Sequence, residues 1–173
     1  ISAKIGKGTH SFLHGAAMSK TEVELCFIKG SEIVATIANT GSNCIGFGEM
    51  GIGNTATASV LMSIILELPI QDCVGKGTGV NDEQLIKKIS ILKKCIANYD
   101  GSDDLDSKLA YFGGFEIMQM VGGMLQAKQD NMLILVDGFI CSVAFLFSFK
   151  KNPSIIKNAI FCHSSAEQGH QKI

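Results

Sequence analysis

The sequence predicts an α/β fold: a doubly wound, mostly parallel sheet with helices on both faces. Three observations carry this. Short apolar runs at 43–48, 132–136 and 159–163 alternate with longer stretches of helical periodicity. Each run feeds a polar or glycine-rich turn, GFGEMGIGNT, VDGF and CHSSAEQGH, and in open α/β sheets ligands sit beyond the carboxyl ends of the strands. The length, 173 residues with 46% hydrophobic content, suits one α/β core domain over 1–173.

The elements follow in order. Ser19 and Glu22 have capping-box spacing, and Val23, Cys26, Phe27, Gly30, Val34 and Ile37 continue a helical stripe that Gly41 ends. The run 43–48 reads as a strand entering a glycine-rich turn. The almost continuously apolar stretch 55–68 reads as a buried helix, stopped by Pro69. A second glycine-rich loop, VGKGTGV at 74–80, leads to Asn81, a good N-cap for a helix turning Leu85, Ile89, Leu92 and Ile96 inward. Residues 98–106 are polar and acidic, hence a loop. Two helices flank Gly113-Gly114, the second over 115–129. The run 132–136 reads as a buried strand, followed by Asp137-Gly138, an apolar helix to about Lys150, a last strand at 159–163 and a polar tail.

Charge and cysteine usage exclude several classes. Fifteen basic against sixteen acidic residues give a net charge of −1 without a basic stripe, so a nucleic-acid partner is not expected. The longest apolar stretch, 132–149, is interrupted by Asp137-Gly138 and does not make a membrane span. Six dispersed cysteines with no CxxC pair read as reduced thiols of a cytoplasmic protein. The opening ISAKIGKGTH lacks the apolar core of a secretory signal, and the first residue is Ile rather than Met, as in a piece of a longer chain.

The chemistry-bearing strings are few. Gly46, Gly48 and Gly51 fit GxGxxG between a strand and a helix, where backbone N–H groups can close on a phosphate. The match alone leaves a dinucleotide site and a merely structural glycine turn both open; a dinucleotide site also wants a suitably spaced acid, for which only Glu67 and Asp72 are at hand. Glu49 sits inside that turn, and a carboxylate beside a phosphate is costly unless it steadies a cationic centre or takes a proton. VGKGTG is no Walker loop but can form an anion nest; Lys88, in the next helix, either reaches back over it or, as one of a Lys-Lys pair, lies on a solvated face. His10 and His14 read as loop residues, and His163, Glu167 and His170 fit a substrate-contacting loop better than a zinc site. No metal is expected.

Together, residues 48–55 (GEMGIGNT), 75–79 (GKGTG), 113–117 (GGFEI), 137–140 (DGFI) and 163–170 (HSSAEQGH) stand in an order that resembles the nicotinate-nucleotide–dimethylbenzimidazole phosphoribosyltransferases of late cobalamin synthesis. Gly8-Thr9 and the segment Gly15 to Ser19 add to the likeness, which covers essentially the whole chain. It departs at Ala56, where the family usually has a second Thr, at Lys76 for Arg and at Gln168 for Pro. Family members run to about twice this length, and their smaller domain, built from N- and C-terminal parts, is largely absent here.

The resemblance implies transfer of the phosphoribosyl group of nicotinate mononucleotide to 5,6-dimethylbenzimidazole or a related base, giving α-ribazole 5′-phosphate and nicotinate. It implies no cofactor, and a homodimer. Gly51, Gly53, Gly77 and Gly79 would offer backbone donors and Lys88 a point charge to the phosphate. Asp137, Gly138 and Ser165 would line the ribose-phosphate pocket. Glu49, the candidate catalytic residue, would face ribose and nicotinate as an electrostatic partner or a reserve base. By the resemblance, the family's usual general base would belong to a C-terminal part beyond these residues. A non-catalytic nucleotide-binding domain, or an inactive fragment needing the missing segments, is the alternative.

Overall fold

The computed structural model describes residues 1–75, 81–163 and 168–173. The element order is α1 (Lys20–Ala38), β1 (Cys44–Phe47), α2 (Asn54–Leu66), α3 (Ile70–Cys73), α4 (Asp82–Ala97), α5 (Leu105–Phe112), α6 (Phe115–Gln129), β2 (Leu133–Val136), α7 (Gly138–Lys151) and β3 (Ala159–Phe161), with short 3₁₀ segments at Pro153–Asn158 and Gln168–Lys172. The expected α/β class with a parallel sheet is what the structure shows: three strands in the order β1-β2-β3, all parallel.

Local chemistry accounts for most boundaries. Ser19 caps α1 through a reciprocal box with Glu22, and Asn81 caps α4 through one with Gln84. Asp104 caps α5 by accepting from the Ser107 amide. The apolar helix α2 ends at Leu66, before the expected stop, because Glu67 takes a left-handed conformation (φ 53°). Pro69 then opens the short α3 instead of merely closing what precedes it, a role suited to its missing N–H. The last strand ends at Phe161, so Cys162 and His163 lie just beyond it.

Register decides which strand residues are buried. Ile45, Ile134 and Ala159 lie side by side, as do Phe47, Val136 and Phe161. This face meets helices: Phe47 packs near Gly123 of α6, and the Phe161 ring stacks edge-on against Phe145 of α7 at 5.1 Å. At the alternate positions Cys44, Gly46, Leu133 and Ile160 are exposed and Leu135 is half-buried, and on the edge strand Phe161 stays 43% exposed despite facing α7. The core runs from this helix-covered face through Ile134, Val136, Val143, Phe147 and Met124 to Val34, Cys26 and Met118.

Helices α1 and α6 approach closely enough for backbones to touch. A Cβ on Gly30 would collide with the Gln119 carbonyl, and one on Gly122 with the backbone of Phe27. Glycine in mid-helix normally costs stability relative to alanine; here the crossing reverses that preference. Gly30→Ala is therefore expected to lower the unfolding free energy by about 1–3 kcal/mol, the cost of overpacking, a fall of roughly 2–4 °C in Tm per kcal/mol for this size. A thermal melt showing an unchanged or raised Tm would contradict the backbone contact.

Candidate active site

The site begins with backbone bonds that bring the strand ends into step. The Asp137 amide donates to the Phe47 carbonyl at 3.0 Å, and the Cys162 amide to the Val136 carbonyl at 2.9 Å. The glycine-rich turn after β1, the Asp137-Gly138 turn after β2 and Cys162-His163 after β3 thus leave one end of the sheet together.

After β1, residues 48–53 expose Met50 and Ile52 completely, and Gly53 reaches a left-handed conformation (φ 89°) to start α2. No side chain caps that start, nor the start of α7 at Asp137, in contrast to α1, α4 and α5. Uncapped helix N-termini carry donor N–H groups and the positive end of the helix dipole. Two of them behind adjacent strands form an anion-accepting corner.

Side chains complete that corner. Asn54 donates through Nδ2 to the Glu49 carboxylate and lies over Gly51, where a Cβ would come within 2.7 Å of that nitrogen. Its Oδ1 is buried, with no hydrogen-bond partner among the described residues. Lys88, on α4, donates to Thr55 Oγ1 at 3.2 Å, which brings its ammonium to the N-terminus of α2. At the next strand end, His163 Nδ1 is 3.8 Å from Asp137 Oδ1, both side chains more than half exposed. Beneath, Cys141 is buried and its thiol pushed up to about 12, chiefly by burial and then by the negative charges of Glu49 and Asp137.

Of the residues expected from sequence, Glu49, Gly51, Gly53, Lys88, Asp137 and Gly138 lie on the turns and helix that converge here. Gly77, Gly79 and Ser165 lie outside the described residues. Residue-by-residue reading missed Asn54 and Thr55, although both stand in the GEMGIGNT string; their partners, Glu49 five residues away and Lys88 thirty-three away, give them their role. No group of metal-ligating side chains occurs among the described residues, and no described helix is long and apolar enough to cross a membrane. A cavity of about 310 Å³ opens at the end of β3 between Phe161, Cys162, His163, His170 and Ile173.

Comparison with known proteins adds a second line of observation. The family model described as Phosphoribosyltransferase (DBI_PRT) matches residues 1–173. The nicotinate-nucleotide–dimethylbenzimidazole phosphoribosyltransferase of Phocaeicola vulgatus is 42% identical over 173 residues, covering all of this chain and 50% of that protein. The protein of the same name from Ralstonia nicotianae is 44% identical over 174 residues, covering all of this chain and 49% of its own length. The crystal structure of CobT from Thermus thermophilus superposes with a TM-score of 0.92 at 29% identity, over 99% of this chain and 52% of that one. The chain spans about half the length of the curated relatives it matches.

All six cysteines are free thiols; Cys44 and Cys162 are exposed, while Cys26, Cys73, Cys95 and Cys141 are buried with raised pKa values. Thiol labelling of the folded protein at pH 8 should accordingly show two fast thiols, one lost in Cys44→Ser and one in Cys162→Ser. Fast labelling of Cys141 in the native state would contradict the packing beneath the site.

Proposed function

We propose, since the chain belongs to the phosphoribosyltransferase family, that it holds the phosphoribosyl-binding part of an enzyme moving the phosphoribosyl group of nicotinate mononucleotide to dimethylbenzimidazole or a related base. The observation that carries this reading is the pair of uncapped helix N-termini behind β1 and β2, with Lys88 beside one, Glu49 held by Asn54 at the start of α2 and Asp137 at the start of α7. A phosphate monoester needs donors and a cation. A ribosyl centre that becomes oxocarbenium-like needs carboxylates close to it but off the phosphate. The names of the relatives supply the substrate pair.

Each group then has a task. The N–H groups opening α2 and α7 donate to the phosphate oxygens, and Lys88 adds a point charge. The family likeness implies further contacts from Gly77, Gly79 and Ser165, which lie outside the described residues. Asn54 holds Glu49 in place, and its unpartnered Oδ1 suits a ribose hydroxyl donor. Glu49 faces the anomeric carbon, where positive charge grows as the pyridinium nitrogen takes the electron pair of the breaking C–N bond and leaves as the uncharged ring nitrogen of nicotinate. Leaving neutral, the pyridine nitrogen needs no acid; the incoming benzimidazole must lose a proton and does need a base. That base is assigned to the part of the relatives beyond the half this chain matches. A cytoplasmic homodimer completes the reading.

Isothermal titration with nicotinate mononucleotide, with NAD in parallel, tests it. The mononucleotide should bind and NAD more weakly, and Lys88→Ala should cost about 1.5–3 kcal/mol of binding, the range for a hydrogen bond to a charged group. NAD binding the more tightly would favour the dinucleotide reading of GxGxxG. Unchanged affinity in the Lys88 variant would remove that residue from the site.

A further inference from the structure

The short segment Gln168–Lys172 ties the two sides of the site together. At Gly169 an added Cβ would lie 2.8 Å from the Cys73 carbonyl, 3.1 Å from Met62 Sδ and 3.2 Å from the Phe139 ring, so the segment is wedged between α3, α2 and α7. Lys172 Nζ reaches Asp72 Oδ2 at 3.3 Å. Between these, the His170 ring is buried, only 9% exposed, and tilts over Phe139 at 6.2 Å. Its Nε2 lies 3.0 Å from Ser142 Oγ. Ser142, fully buried, is in turn 2.8 Å from the Gly138 carbonyl. That carbonyl belongs to the residue that leaves β2 through a left-handed turn (φ 79°) to open α7.

Counting protons gives the chain a direction. A carbonyl only accepts and a serine hydroxyl has one proton, so with Ser142 donating to Gly138 the His170 tautomer that completes the chain is the one protonated on Nε2. Burial lowers the His170 pKa below the usual histidine value, with repulsion from His163 adding to it. Both the lowered pKa and the contact with Ser142 favour the neutral ring with its proton on Nε2.

We propose that His170 is a positioning residue: through Ser142 it fixes the carbonyl of Gly138, and with it the turn that presents Asp137 and the N-terminus of α7 to the substrate phosphoribosyl group. Glycine at positive φ is the softest point of that turn, and the Ser142 bond is a side-chain restraint on it. His170 does no proton transfer here, because the nitrogen that matters is engaged with Ser142 inside the fold. The role in ligand binding rests on the function proposed above; the relay from His170 to Gly138 does not.

Three variants test both parts. His170→Ala and Ser142→Ala cut the relay, while His170→Gln keeps an N–H donor close to the position of Nε2. In titrations with nicotinate mononucleotide, the two alanine variants should bind about fivefold more weakly, the loss of one buried hydrogen bond, and His170→Gln within about twofold of the parent. Equal affinities across a folded series would overturn the positioning role. Nuclear magnetic resonance reads the relay without ligand. The parent should show neutral His170 protonated on Nε2, and the Gly138 amide resonance should shift alike in the two alanine variants and return in His170→Gln. A His170 proton on Nδ1, or a Gly138 amide indifferent to all three changes, would overturn the relay. If the parent binds no mononucleotide, the functional reading fails, while the tautomer and the Gly138 shift still decide the relay.

Discussion

Everything at the site depends on the alignment of three strand ends by two backbone hydrogen bonds, from Asp137 to Phe47 and from Cys162 to Val136. Parallel pairing fixes the register, and the register makes the chain leave all three strands at the same level. Each exit then does something different. After β1 it loops through glycines into α2, after β2 it turns at once into α7, and after β3 it runs on to the segment that carries His170. A slip of one residue in β2 would turn Ile134 and Val136 away from the helices and separate Asp137 from the start of α2. Burial of Ile134 and Val136 therefore protects the chemistry as well as the core.

The rest of the structure serves that alignment from one side. Helices α6 and α7 pack on the face of Phe47, Val136 and Phe161, and α1 is held against α6 by glycine-to-backbone contacts at Gly30 and Gly122. The opposite face, with Leu133 and Ile160, is exposed. The relatives are about twice as long as the matched region. The proposed division of labour follows the same split: this chain supplies the anion corner and the ribose-facing carboxylate, and the proton acceptor is assigned elsewhere.

Much of the fold was legible in the sequence because local signals and tertiary structure agree. The capping box at Ser19, the N-cap at Asn81 and the short apolar runs of the three strands needed no partner to be read. The early end of α2 was not legible, since a left-handed Glu67 has no local signature, and Pro69 signals a helix start as well as a stop. In the site, glycines and charged residues stand out in a string, but pairings do not. Lys88 with Thr55, and His170 with Ser142, join residues 33 and 28 positions apart, and a serine in an apolar helix reads as core until its partner is seen.

The central claim is that the substrate phosphate sits on the N-termini of α2 and α7. Titrating ¹⁵N-labelled protein with nicotinate mononucleotide and following backbone amides tests it most directly. The account predicts the largest shifts at Asn54, Thr55, Gly138 and Phe139, with Asn39 and Gly41 at the far end of α1 unmoved. Shifts centred instead on the α1–α6 surface around Ile28 and Gln126, with the two helix starts silent, would contradict it.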